Sequence, residues 1–112
     1  DKLLHDLAVS CSHEANPDVT VYEGLILTGD QFISGQEKKN WLIDTFHGLC
    51  AEMEGGAIAH VASLNEVPFL IIRSISDKAD GSATMDYTQF SKIASYHSAR
   101  LVEALIEKLL AL

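Results

Sequence analysis

Leu49-Cys50-Ala51-Glu52-Met53-Glu54-Gly55-Gly56-Ala57-Ile58-Ala59-His60-Val61-Ala62-Ser63-Leu64 changes its hydrophobic period partway along. Leu49-Cys50-Ala51 is a compact apolar run of strand length that leads into the acidic Glu52-Met53-Glu54. Ala57, Ile58, Val61, Ala62 and Leu64 then recur as one face of a helix. A strand followed closely by a helix is the unit from which layered α/β folds are built.

The same alternation extends in both directions. Upstream, Val19-Thr20-Val21-Tyr22 alternates weakly, and Gly24-Leu25-Ile26-Leu27-Thr28 is an apolar strand-like stretch that stops at Gly29-Asp30. Past a polar loop around Ser34 to Lys39, Trp41, Leu42, Thr45 and Phe46 fall near helical spacing, and Gly48 is the expected C-terminal stop. At the start of the chain, Leu3, Leu4, Leu7, Ala8 and Cys11 form an amphipathic helical run, closed by a turn at Asn16-Pro17-Asp18. Downstream, Pro68 opens the strongest strand candidate, Phe69-Leu70-Ile71-Ile72, a run suited to burial on both faces. The last element is a long helix with a stripe of Phe90, Ile93, Ala94, His97, Leu101, Val102, Leu105, Ile106 and Leu109, with Asp86 and Gln89 expected to cap its start. The order is helix, strand, helix, strand, helix, strand, helix, which predicts an α/β fold with a largely parallel sheet in one domain.

Composition narrows the function. A chain of 112 residues with 47% hydrophobic content can bury a modest core, and a formal charge of −8 repels nucleic acid and anionic membranes. A small ligand is the expected partner. No apolar run approaches the roughly 18 to 20 residues needed to span a bilayer, and no basic-then-apolar leader is present, so the expectation is a soluble, cytoplasmic protein. The chain opens on Asp1 with an amphipathic run beginning almost at once, the pattern of a truncated chain. Cys11 and Cys50 are expected as free thiols, and five scattered histidines lack metal-ligand spacing, so no metal and no cofactor is expected.

In open α/β sheets, ligands bind where strand carboxyl ends meet the following loops. Three places qualify: Gly29 to Ser34, Glu52 to Gly55, and Arg73 to Asp80. Glu52 and Glu54 stand one residue apart and share a face if the run stays extended, and a carboxylate can accept two hydrogen bonds from the vicinal hydroxyls of a ribose. On composition alone the same residues read first as an acidic helix N-terminus favoured by the dipole. Gly55-Gly56 would let the backbone approach a ligand closely. Asp77, past the apolar run, is placed to act as a general acid, although an Asp- and Ser-rich strand-to-helix loop has the same composition, with Asp80 and Gly81 as turn residues. Phe32 lies just beyond a strand end, where its ring can stack on a planar base or belong to the core.

Gly-Asp-Gln-Phe-Ile (29–33), Ala-Glu-Met-Glu-Gly-Gly-Ala-Ile-Ala-His-Val (51–61) and Arg-Ser-Ile-Ser-Asp-Lys-Ala-Asp (73–80) occur in that order. Together they resemble the 5'-methylthioadenosine/S-adenosylhomocysteine nucleosidases, from about Val21 to the end. The resemblance implies the three-layer αβα nucleoside phosphorylase-like fold, with residues 1–112 as a single partial domain, its C-terminal half. It implies hydrolysis of the N-glycosidic bond of 5'-thio-substituted adenosines to adenine and a thioribose, in methyl recycling. Asp77 matches the general acid that protonates adenine N7, and Glu54 the carboxylate that holds the ribose hydroxyls, with Met53 beside the sugar. Phe32 matches the ring stacked on adenine and Ile33 the backbone that reads the base edge. Ser76 and Arg73 match positions that orient Asp77 and the acidic cluster, and Glu52 a supporting carboxylate.

The resemblance also implies a homodimer whose partner completes the pocket. The family's water-activating carboxylate and most of the 5' pocket lie in an N-terminal half outside this chain, so the isolated chain is expected to show little turnover and to expose apolar surface. The family commonly has Ala or Thr after Met-Glu; Gly55-Gly56 should loosen the helix start by roughly 1 kcal/mol per residue. A nucleoside phosphorylase, in which phosphate replaces water, and a non-catalytic adenine-binding fragment are the alternatives.

Overall fold

The computed structural model describes all 112 residues as four helices and two short strands: α1 (Lys2–Ala15), β1 (Ile26–Thr28), α2 (Gln36–Phe46), β2 (Cys50–Glu52), α3 (Gly55–Leu64) and α4 (Ala83–Leu110). β1 and β2 pair in parallel, with Ile26 opposite Cys50, Leu27 opposite Ala51 and Thr28 opposite Glu52. Parallel neighbours need a crossover, and α2 supplies it. The mixed α/β class and the parallel pairing are those expected from the alternating pattern.

The core lies between the first and last helices. Ala8 and Cys11 on one face of α1 meet Leu101 and Leu105 of α4, with Leu70 and Ile72 packed against this cluster. The side chain of Asp1 caps α1 by accepting from the Leu4 N–H at 3.0 Å. At the other end, the buried Asn16 donates through Nδ2 to the His97 carbonyl at 2.9 Å, tying α1 to the middle of α4.

Three expectations are corrected. Phe69–Ile72 forms no strand. A strand exists only when a neighbour takes its backbone hydrogen bonds in a ladder, and the ladder here joins β1 and β2 alone. The run packs Leu70 and Ile72 onto the α1–α4 cluster without entering a ladder. Secondly, α2 is ended by His47, which adopts the left-handed conformation (φ 55°, ψ 32°) and donates to the Ile43 carbonyl at 2.9 Å. Gly48 serves close packing instead, since a Cβ there would stand 2.5 Å from Leu27 Cγ. Thirdly, α4 begins at Ala83 behind Ser82, so Asp86 lies in its first turn and Gln89 lies well inside it. The turn before it is set by Asp80 Oδ1, which accepts from the Ser82 N–H at 2.9 Å and hydroxyl at 2.6 Å.

Much apolar surface is left open. The accessible area is 7955 Å², against about 6,000 Å² for a compact monomer of this mass. The excess includes Trp41 and Phe46 of α2, Ile58, Val61 and Leu64 of α3, and Val102 and Ile106 of α4, all exposed. No helix is long and apolar enough to cross a membrane.

Candidate active site

The carboxyl ends of β1 and β2, the amino end of α3 and the loop after Ile72 meet around Glu52. This residue ends β2, and its side chain is only 6% exposed. Glu52 Oε2 accepts from the Glu54 N–H at 2.8 Å and the Gly55 N–H at 2.6 Å. Arg73 Nη2 donates to that same oxygen and to Glu54 Oε2, bridging the two carboxylates. Of the two sequence readings, the structure shows the helix-end one at Glu52, which accepts from the first N–H groups of the turn, and Arg73 joins Glu52 to Glu54.

Gly55 and Gly56 are both packed closely against this cluster. A Cβ on Gly55 would stand 2.5 Å from Glu52 Oε1, and one on Gly56 would stand 2.2 Å from Thr28 Cγ2. The Gly56 N–H donates to Thr28 Oγ1 at 3.2 Å. Strand-end side chains thus take the first free N–H groups of α3, groups that otherwise lack partners.

Burial pushes the Glu52 carboxyl up, but the Arg73 guanidinium and the Gly55 and Glu54 N–H groups outweigh it and hold it at about 2. Arg73 is in turn raised above its ordinary value, chiefly by Glu52. Glu52 is a fixed anion and Arg73 a fixed cation at neutral pH. Glu54 is 66% exposed, so this second carboxylate remains open to a ligand. Burial, followed by the Glu52 charge, raises the Cys50 thiol, which makes it a poor nucleophile.

The loop from Arg73 to Asp80 is held by side chains. Ser74 and Ser98 of α4 share a hydrogen bond of 2.7 Å. Asp77 accepts from the Ser76 hydroxyl at 3.2 Å and from the Ala79 N–H at 2.8 Å. Ala79 is left-handed (φ 57°), so a tight turn follows Asp77. Asp80, in contrast, is engaged by Ser82, whose hydroxyl and N–H hold its carboxyl below the usual range. It is the turn residue that composition suggested.

Phe32 is 46% exposed and meets Tyr87 of α4 edge to face, with centroids 5.9 Å apart at 83°. Ile33 lines a depression of about 190 Å³ with Leu27, Leu42, Ala51 and Glu52. Met53 sits in the bend between β2 and α3, 43% exposed. Of the residues singled out from sequence, Glu52, Glu54 and Arg73 form one bonded cluster and Ser76 and Asp77 a second. Phe32 pairs with a residue that sequence reasoning missed, and Thr28 was missed too. Thr28 was accessible to the strand-end rule, because it ends β1 opposite Glu52. Tyr87 carried no such signal, since its place depends on where α4 begins.

No three His, Cys, Asp or Glu side chains converge in positions that could hold a metal ion. The strand ends and the loops after them offer an exposed carboxylate, Glu54, joined through Arg73 to the buried Glu52, and, in separate contacts, the Asp77 carboxyl on a tight turn and the exposed Phe32 ring. These groups suit a polyhydroxylated ligand with a planar ring.

Known proteins share this arrangement of elements. The chain is 41% identical over 110 residues to the 5'-methylthioadenosine/S-adenosylhomocysteine nucleosidase of Halalkalibacterium halodurans, covering 97% of this chain and 47% of that one. It is 34% identical over 106 residues to the aminodeoxyfutalosine nucleosidase of Helicobacter pylori, covering 95% of this chain and 45% of that one. The crystal structure of the Neisseria meningitidis 5'-methylthioadenosine/S-adenosylhomocysteine nucleosidase in complex with methylthio-immucillin-A superposes with a TM-score of 0.90 at 32% identity. It covers 96% of this chain and 47% of that one. The chain spans just under half the length of these relatives. Residues 1–107, which contain every element of the site, match the family described as the Phosphorylase superfamily, and the chain belongs to that superfamily.

Proposed function

We propose that the protein containing this chain hydrolyses the N-glycosidic bond of 5'-thio-substituted adenosines, releasing adenine. The observation that carries the reading is the bridge from Arg73 to both Glu52 and Glu54 at the strand ends. It leaves one carboxylate exposed and oriented while the other is buried. In this reading Glu54 accepts from the 2'- and 3'-hydroxyls of the ribose, with Met53 beside the sugar. Phe32 stacks on the adenine and the Ile33 backbone reads its edge. Asp77, oriented by Ser76 and by the Ala79 N–H, donates its proton to adenine N7 as the glycosidic bond breaks. The bonding pair leaves with the purine, the sugar becomes oxocarbenium-like, and water adds to it. A correctly placed acid contributes roughly 100- to 10,000-fold to such a step.

Likeness to nucleosidases acting on related nucleosides supports the reading. The open apolar faces support treating residues 1–112 as part of one larger domain, which works as a homodimer in the cytoplasm and serves methionine salvage. The test is adenine release by the complete protein from methylthioadenosine, with and without phosphate. Phosphate-independent release is the expected result. Release that requires phosphate would make the protein a phosphorylase, and binding without release would leave a purine-binding relative.

A further inference from the structure

Glu52 has one oxygen without a partner. Oε2 accepts three hydrogen bonds, while the buried Oε1 accepts none. An unpaired buried carboxylate oxygen is costly, so a donor within reach has a strong reason to turn toward it. Thr28 is the register partner of Glu52, and opposed residues on neighbouring strands project to the same face. Its hydroxyl oxygen already accepts from the Gly56 N–H at 3.2 Å. A hydroxyl that accepts still has its own proton to give, and that proton rotates to suit. The absence of a Cβ at Gly56, which would stand 2.2 Å from Thr28 Cγ2, keeps the threonine seated against α3. The hydroxyl also contributes, after Arg73 and the two N–H groups, to holding the Glu52 carboxyl low.

We propose that Thr28 is a positioning residue whose hydroxyl accepts from Gly56 and donates to Glu52 Oε1, fixing the carboxylate that holds Arg73 and, through Arg73, Glu54. Its effect on turnover rests on the nucleosidase reading, because the relay ends at the ribose hydroxyls that Glu54 is proposed to bind. Thr28 itself touches no reacting atom.

The experiment compares Thr28→Val, which keeps the shape and removes the hydroxyl, with Thr28→Ser, which keeps the hydroxyl, in the complete protein. KM and kcat are measured for methylthioadenosine and for its 2',3'-dideoxy analogue. For methylthioadenosine, Thr28→Val should raise KM about tenfold, the effect of losing one hydrogen bond to a charged group, and Thr28→Ser should restore it to within about twofold. For the dideoxy analogue the difference between Val and Thr should vanish. An equal rise on both substrates, or a Ser variant as impaired as Val, would overturn the proposal. A second readout stands apart from turnover: the Glu52 side-chain carboxyl followed by ¹³C NMR through an acid titration. Its pKa should rise in the Val variant and not in the Ser variant; no rise would overturn the Thr28–Glu52 link. If the wild-type protein cleaves neither substrate, the nucleosidase reading fails and the titration decides the role of Thr28 alone.

Discussion

Replacing Glu52 by Gln keeps the length of the side chain but removes the charge on which Arg73 and the Glu54 and Gly55 N–H groups converge. The native carboxyl is held at about 2 against an ordinary 4.5. By linkage, that drop corresponds to about 3 kcal/mol of stability at neutral pH. Arg73 is 34% exposed, so solvent screening reduces the expected figure to about 2 kcal/mol. The folded pKa lies below the unfolded one, so this contribution is complete above about pH 4.5 and is lost as pH falls toward 2. Urea unfolding of the complete protein and its Glu52→Gln variant, at steps from pH 7 to pH 3, measures it. The variant should be about 2 kcal/mol less stable at pH 7, with the gap narrowing steadily below pH 4.5. A gap of constant size across that range would mean that the side chain acts by shape, and no gap at pH 7 would refute the reasoning outright.

Gly56→Ala sets helix propensity against packing. Alanine favours the helix by about 1 kcal/mol, but its Cβ would stand 2.2 Å from Thr28 Cγ2, and overpacking of this kind costs about 1 to 3 kcal/mol. A net loss is expected in urea unfolding, and a variant more stable than wild type would contradict the tight seat of Thr28. Asn16→Ala should lower stability by about 1 kcal/mol, because it removes a partly buried bond to the His97 carbonyl. Faster amide hydrogen exchange should appear at the end of α1, and unchanged exchange there would show that the tie carries no energy.

The elements that carry an apolar stripe were the legible ones, even where, as on α3, the stripe is exposed. α1, α3 and α4 follow their 3.6-residue spacing, β1 lies within its apolar run, and β2 runs one residue past Ala51 to end on Glu52. Phe69–Ile72 was misread because hydrophobic pattern reports burial and extension, whereas a strand also needs a hydrogen-bonding neighbour, which the run itself does not encode. The end of α2 was misplaced by one residue, since left-handed backbone is so commonly glycine that Gly48 outweighed His47. Strand-end chemistry fared better. Glu52 and Glu54 were singled out as a pair, and the structure joins them through Arg73, which binds both. Thr28 was within reach of the strand-end rule, since it ends β1 opposite Glu52, whereas Tyr87 stayed hidden because its place depends on where α4 begins, which leaves no local mark in the sequence.

The most direct test of the proposed chemistry is adenine release from methylthioadenosine by the complete protein beside its Asp77→Asn variant, each without phosphate. The wild type should release adenine, and the variant, which retains the shape but has no carboxyl proton to donate, should be slower by roughly 100- to 10,000-fold. A variant that matches the wild type would remove Asp77 from the acid role and contradict the mechanism, and a wild type silent until phosphate is added would contradict hydrolysis itself.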